Sequence, residues 1–290
     1  MSMKESYQEY LAAREKAGPK SHQINQEAHY VHPFRIYGPV WYVGDDWVCV
    51  HLIDTGDGLL LLDAGNCGTT GMLVNAISEA GFKPADVKWI ILSHGHYDHF
   101  GSANFFRRMF GTKIYLGAPD AKMFREKPWF SHVQKAYSVA DELFEPDVEI
   151  RDGDVLTFGN IRFKCVLCPG HTEGVVSLFF EADGDEGVKR FGFYGGFGFN
   201  TLQKNFLLEF GDPEFKMRQV YLDSLAKVRD QKVDVMLGNH GHNNDTLGRR
   251  QKQIDNPDGP NPFIYPDCWK DYLDKKLDGV RKLMADPEQN

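Results

Sequence analysis

The run Val87-Lys88-Trp89-Ile90-Ile91-Leu92-Ser93 constrains the fold more than any other segment. It is almost continuously apolar and of strand length, which is the pattern of a strand covered on both faces, so its sheet needs a layer on either side. Other strand candidates surround it. From Val40 the chain reads VWYV, WVCVHLID and LLLLDAG, and Thr55-Gly56-Asp57-Gly58 between the last two predicts a hairpin. Thr70 to Ala80 has the spacing of an amphipathic helix stopped by Gly81. A helix from about Ser102 to Met109, the strand TKIYLG and a helical stretch near Asp120 to Arg125 follow, then an aromatic connection at Pro128-Trp129-Phe130 that has the makings of a lid. The second half offers DVEI, VLTF, IRFKCVL, VVSLFFEA and KRFGFY as strands, Glu214 to Arg229 as a helix and VDVML as a last strand. Residues 251–266, rich in Asn, Pro, Asp and Gly, read as a loop, and Trp269 to Met284 as a closing helix. Two strand-rich halves with helices outside imply an α/β fold of two sheets packed face to face, with helices on each outer face: a four-layer αββα sandwich.

At 290 residues, 42% hydrophobic and 26% charged, the chain has the material for one large core with additions, and disordered, collagen-like and coiled-coil classes are excluded. The expected division is an N-terminal arm over 1–32, a core domain over 33–250, and a loop and C-terminal helix over 251–290 packing on that domain. Lys plus Arg number 33 against 41 Asp plus Glu, a balance of −8, and no dense basic run can follow a phosphate backbone. Nucleic acid is not an expected partner. The N-terminus begins MSMKESYQEY and never offers the about 7–15 apolar residues of a secretory signal. No stretch approaches the roughly 20 apolar residues of a membrane span, so no membrane partner is expected. Five cysteines, Cys49, Cys67, Cys165, Cys168 and Cys268, form an odd and sparse set that suits free thiols in a reducing cytoplasm. Nothing in the sequence speaks to oligomeric state.

The chemistry concentrates after the buried run. His94-Gly95-His96-Tyr97-Asp98-His99 places four potential metal ligands in six positions, in a loop leaving a strand where side chains can converge. The bland alternative is that Asp98 caps a helix beginning near His99 and the histidines are solvated. His171, in Cys168-Pro169-Gly170-His171-Thr172, and His240, in Leu237-Gly238-Asn239-His240, each directly follow a strand candidate, as His94 does. Site residues on several strand ends along one sheet edge are expected of a site built on a rigid scaffold.

The string SHGHYDH, the later PGHT, the closing GNH and the early LLLLDAG resemble the motifs of the metallo-β-lactamase superfamily, in matching order across roughly residues 33–250. The likeness is to the subclass whose second zinc is held by Asp, His and His. It implies two Zn²⁺ per chain, one held by His94, His96 and His171 and the other by Asp98, His99 and His240, with Asp63 supporting ligand orientation. It also implies a hydrolase in which zinc-bound hydroxide attacks the carbonyl of a small-molecule substrate, an amide or a β-lactam ring, with Asp98 both ligating and orienting the nucleophile. Two features depart from the family. Many of its hydrolases carry a metal-bridging Asp after the strand that here reads Lys189 to Tyr194, and this chain continues Gly195-Gly196-Phe197-Gly198. The β-lactamase subclass often carries a Ser there for the substrate carboxylate, and it is usually secreted with a disulfide. The alternatives are therefore a hydrolase of esters, lactones or thioesters acting on an intracellular metabolite, and a non-hydrolytic metal-binding or iron redox protein. Iron-using relatives tend to have Glu where His96 stands.

Weaker signals carry two readings each. Cys165 and Cys168 have metal-pair spacing, but three residues along a strand sends them to opposite faces, as ordinary buried thiols. Gly195, Gly196 and Gly198 lack the spacing and the Lys of a phosphate loop and read as a tight turn beside the metals. His242, Asn243 and Asn244 read as pocket lining or as turn residues. Tyr97, Trp129 and Phe130 read as an apolar substrate wall or as core packing.

Overall fold

The computed structural model describes residues 7–9, 12, 25–133 and 143–290. Most of the N-terminal arm expected over 1–32 falls outside them. Where the arm is described, it is tied to the core: the short helix α1 (Gln26–His29) buries His29, and Tyr30 and Val31 pack against apolar clusters.

Seven strands follow the chain in simple order across one sheet: β1 (Phe34–Tyr37), β2 (Val40–Tyr42), β3 (His51–Asp54), β4 (Leu59–Leu62), β5 (Val87–Ile91), β6 (Lys113–Gly117) and β7 (Val148–Ile150). Pairing is antiparallel from β1 to β4 and parallel from β4 to β7. The second sheet has the order β12-β11-β10-β9-β8, built from β8 (Val155–Phe158), β9 (Ile161–Leu167), β10 (Val176–Ala182), β11 (Lys189–Phe193) and β12 (Val235–Leu237). Only its β11–β12 pair is parallel.

Strand periodicity explains the layers. In β4 all four leucines are buried, yet Leu60 and Leu62 face the second sheet while Leu59 and Leu61 face outward to helices. Each such leucine contributes about 1.5–3 kcal/mol by burial. The inner core joins Leu60, Leu62 and Ile91 of the first sheet to Phe163, Leu178 and Phe191 of the second. The first outer core lies under α2 (Thr70–Glu79), α4 (Ala103–Phe110) and α5 (Ala118–Glu126), through Leu73, Ile77, Phe106 and Phe124. The second lies under α7 (Lys216–Arg229) and α9 (Asp267–Ala285), through Tyr221, Leu225, Trp269 and Leu273. This is the expected αββα sandwich. Cys165 lies in the inner core and Cys168 in the second outer core, on opposite faces as strand geometry requires, and all five thiols are free and buried.

Two helices escape the sequence pattern. One is α6 (Lys204–Phe210), and the other, α8 (Thr246–Asp255), runs through 251–255, where a loop was expected. The stretch Arg249 to Gln253 is polar but made of good helix formers, and Asn256-Pro257 halts it because a residue before proline avoids helical backbone. The aromatic connection is a short 3₁₀ turn in which Phe130 is buried against Phe206 and Phe210, while Trp129 stays half exposed.

Candidate metal centre

Every candidate ligand stands beyond the end of a strand, on the edge where both sheets finish. β5 runs through Leu92 and Ser93 into His94-Gly95-His96, and the single helical turn α3 (Tyr97–Phe100) then carries Asp98 and His99. The connection between β9 and β10 holds His171, and β12 leads to His240. The sheets are stitched together at this edge: Val176 donates its N–H to the Ser93 carbonyl at 2.9 Å, and Val48 forms a bridge with His240.

The six residues assemble as two adjoining triads whose potential ligand atoms lie within 4.8 Å of one another in each. In the first, His96 Nδ1 is 3.1 Å from both His94 Nε2 and His171 Nε2. In the second, Asp98 Oδ2 lies 3.6 Å from His99 Nε2 and 3.7 Å from His240 Nε2. The His94 and His99 rings, 4.2 Å apart, join the two.

What the opposite ring nitrogens do decides whether a metal fits. His94 Nδ1–H donates to the Gly195 carbonyl at 2.7 Å and His171 Nδ1–H to the Gly198 carbonyl at 3.0 Å. His99 Nδ1 meets Asp63 Oδ2 at 2.8 Å, and His240 Nδ1 approaches the Trp47 carbonyl at 3.3 Å. With one nitrogen anchored as a donor, the other turns a lone pair inward, the arrangement that fixes a ligand's tautomer and aim. His99 Nε2 is buried with no hydrogen-bond partner among the described residues, a costly state for a polar atom without a cation to receive its lone pair. Zinc–nitrogen bonds of about 2.0–2.1 Å in a tetrahedron put nitrogens roughly 3.3 Å apart, close to the spacing in the first triad. The residues fit a borderline divalent metal.

Electrostatics agree with the geometry. Burial pushes the His94 pKa well below its ordinary value, reinforced by the neighbouring imidazoles, and lowers His171 to about 4 and His240 to about 3. Neutral imidazole is the ligating form. At Asp98 burial works against ionisation, but His99 and His240 outweigh it and hold the carboxyl below its usual range. His99 is the exception: burial is outweighed there by Asp98 and Asp63 and the pKa rises, so a metal binding this ring has to displace a proton.

Asp63 adopts φ +63°, uncommon for a residue with a side chain, and its carboxylate accepts from Ser93 N at 2.7 Å and Ser93 Oγ at 2.8 Å besides meeting His99. The glycine run is the expected turn beside the site, and it is also a matter of space. A Cβ at Gly198 would fall 2.5 Å from His171 Cε1, and one at Gly196 would fall 3.0 Å from His171 Cδ2.

Two supporting residues carry no signal in the sequence. Asp120, fully buried in the first turn of α5, accepts from Gly95 N at 2.7 Å, Thr172 Oγ1 at 2.7 Å and Gly174 N at 2.9 Å. Burial raises its pKa to about 6, with those three donors opposing. His51 on β3 donates Nε2–H to the Gly238 carbonyl at 2.9 Å, two residues before His240, and burial lowers its pKa to about 4.

A cavity of about 310 Å³ opens over both triads, with Trp47, Tyr97, Phe197, His242, Asn243 and Lys276 in its walls. Of the expected lining, Asn244 is absent; it donates instead to the Met236 carbonyl at 2.7 Å. Phe130 lines a separate space of about 20 Å³ behind His96 and His171, room for about one water.

Comparison with known proteins agrees with this geometry. Residues 48–185 match the model of the metallo-beta-lactamase superfamily. A subclass B3 metallo-beta-lactamase of Bradyrhizobium japonicum superposes with a TM-score of 0.75 at 26% identity, covering 89% of this chain and 95% of that one. An uncharacterized protein of Aquifex aeolicus is 34% identical over 99 residues, which is 34% of this chain and 46% of the relative. The hydroxyacylglutathione hydrolase GloC of Haemophilus influenzae is 27% identical over 132 residues, 45% of this chain and 59% of that protein. The chain thus spans about half the length of these two curated relatives. Together with two sheets between helical layers and an Asp-His-His group beside three histidines, these likenesses mean that residues 48–185 carry a metallo-beta-lactamase superfamily match and that the chain is similar in fold to subclass B3 of that superfamily.

Proposed function

We propose that this protein is a dinuclear zinc hydrolase that cleaves amides, with a β-lactam ring among its candidate substrates. The observation that carries the reading is the anchoring of one nitrogen on His94, His99 and His171 while the other faces a shared point. His94, His96 and His171 would hold one Zn²⁺, and Asp98, His99 and His240 the other. Zinc, when bound, supplies Lewis acidity and a water acidic enough to react at neutral pH. Asp98 remains partly open to the cavity, with its side chain 20% exposed, so its carboxylate can orient the attacking water while it ligates. Asp63 and the carbonyls of Gly195 and Gly198 keep the imidazoles aimed, and Trp47, Tyr97 and Phe197 give the substrate aromatic walls. The site's residues span both sheets of a core over 33–250, with the C-terminal helix packed on it. Free buried thiols support a cytoplasmic setting.

A second reading is a hydrolase of esters, lactones or thioesters. Its support is Gly196, which offers no side chain to a substrate carboxylate, together with the likeness to a relative named as a hydroxyacylglutathione hydrolase. Metal analysis of the purified protein, paired with turnover of nitrocefin, simple amides, lactones and thioesters, tests both. Two zinc ions with amide or nitrocefin turnover supports the first reading. Ester, lactone or thioester turnover alone selects the second, and metal binding with no turnover on any of them favours a binding module.

A further inference from the structure

Lys276 is set apart from the other lysines of α9. Lys270 and Lys275 are exposed, but the Lys276 ammonium is half-buried among three rings, 4.9 Å from the centroid of Phe199, 5.0 Å from Tyr272 and 5.6 Å from Phe197. These cation–π contacts hold it at the wall of the cavity over the two triads. Among the described residues no carboxylate lies within 4.0 Å of it, and it is the only Lys or Arg lining that cavity. A cation withdrawn from water, with rings but no anion around it, is a site prepared for an anion from outside. Asn200, in the same wall, has a side-chain amide with no hydrogen-bond partner among the described residues and can donate a second bond. One compact ammonium and one amide suit a monoanion with two oxygens rather than a phosphate dianion.

We propose that Lys276 is a specificity residue that binds a carboxylate on the substrate while the scissile carbonyl sits at the His and Asp cluster. The assignment rests on the metal-hydrolase reading above and narrows it to substrates carrying a carboxylate away from the bond cleaved. Its burial lowers the Lys276 pKa to about 8, which leaves most of the charge in place at neutral pH.

The test is calorimetric titration of the zinc-loaded protein with ω-mercapto carboxylic acids of two to four carbons and with their methylamides, the thiol serving as a metal-directed anchor. For at least one chain length the wild type is expected to prefer the acid, and Lys276→Met to lose about tenfold or more of that preference, the strength of a charge-assisted hydrogen bond. Lys276→Arg keeps the charge and should retain part of it. The methylamide's affinity in each variant checks that the site is still intact. An acid preference unchanged in Lys276→Met, or no preference at any length in the wild type, overturns the carboxylate site and leaves the metal centre standing. If neither acids nor amides bind, the metal-centre reading falls and this site falls with it.

Discussion

Asp120 and Thr172 meet through a 2.7 Å hydrogen bond that joins the two sheets at the candidate metal centre. The same carboxylate oxygen accepts from Gly95, which stands between His94 and His96, and Thr172 directly follows His171. One buried side chain from α5 therefore sets the spacing between the loop of the first sheet and the loop of the second. Its hydrogen bonds go to backbone N–H groups and to Thr172 rather than to a candidate ligand ring, so it acts by fixing the backbone that carries those rings.

Replacing Asp120 with Asn leaves one oxygen to accept where two accepted, and turns an amide N–H₂ toward groups that donate. The expected loss is about 1–3 kcal/mol of stability for the donors left unsatisfied. A positioning role also predicts faster zinc release to a chelator, whereas a purely structural role would lower the urea midpoint and leave chelator competition on the folded protein unchanged.

The two triads are separable by mutation. His96→Ala removes the atom shared by both close contacts of the first triad, and His240→Ala removes one member of the second. On the dinuclear zinc reading, each is expected to lower zinc from two ions to one per chain, measured by mass spectrometry under native conditions, and to reduce turnover by about a hundredfold or more. Full activity in either depleted variant would contradict a dinuclear mechanism.

Gly198→Ala tests the close approach of backbone to ligand. Its Cβ would lie 2.5 Å from His171 Cε1 and 2.8 Å from His171 Nδ1, so the ring must move off the Gly198 carbonyl that orients it. Weaker zinc binding is expected at the first triad, about tenfold or more, with the second triad's zinc retained. Titration with a chromophoric chelator resolves the two.

His51 gives a pH dependence with a definite sign. Its folded pKa, about 4, lies below the unfolded value near 6.5, so between these the unfolded chain binds more protons and stability falls as pH falls. The contribution is fully present above pH ~6.5 and is lost on acidification toward the folded pKa, an effect of roughly 3 kcal/mol. His51→Gln keeps a donor for the Gly238 carbonyl but cannot titrate. The wild type should therefore lose stability relative to this variant as pH drops from 6.5 to 4, read from urea unfolding of the metal-free proteins.

The sequence makes the candidate ligands legible and hides what positions them. His94, His96, Asp98 and His99 announce themselves because ligand spacing follows a doubly buried strand, and His171 and His240 because each follows a strand in turn. Asp120 is silent: an acid in the first turn of a helix is the commonest way to favour a helix start, and only the fold brings it to Gly95 and Thr172. His51 sits in a strand and reads as core. Lys276 is one lysine among several on a charged helix, and the rings that enclose it include Phe197 and Phe199, about 77 residues and more away in sequence. The helix over Thr246–Asp255 was hidden by its polarity, since Leu247 alone anchors it to the inner core. Long-range contacts leave no local trace.

The placement of ligands across two sheets has a thermodynamic consequence. Each triad takes two members from the first sheet's loop and one from the second sheet, His171 or His240, so neither triad exists in an isolated half of the chain. An ion able to bind only the docked pair of sheets draws the folding equilibrium toward the native state by mass action. Under the dinuclear reading, the melting temperature becomes a function of free zinc concentration, and a chelator acts on this protein as a denaturant.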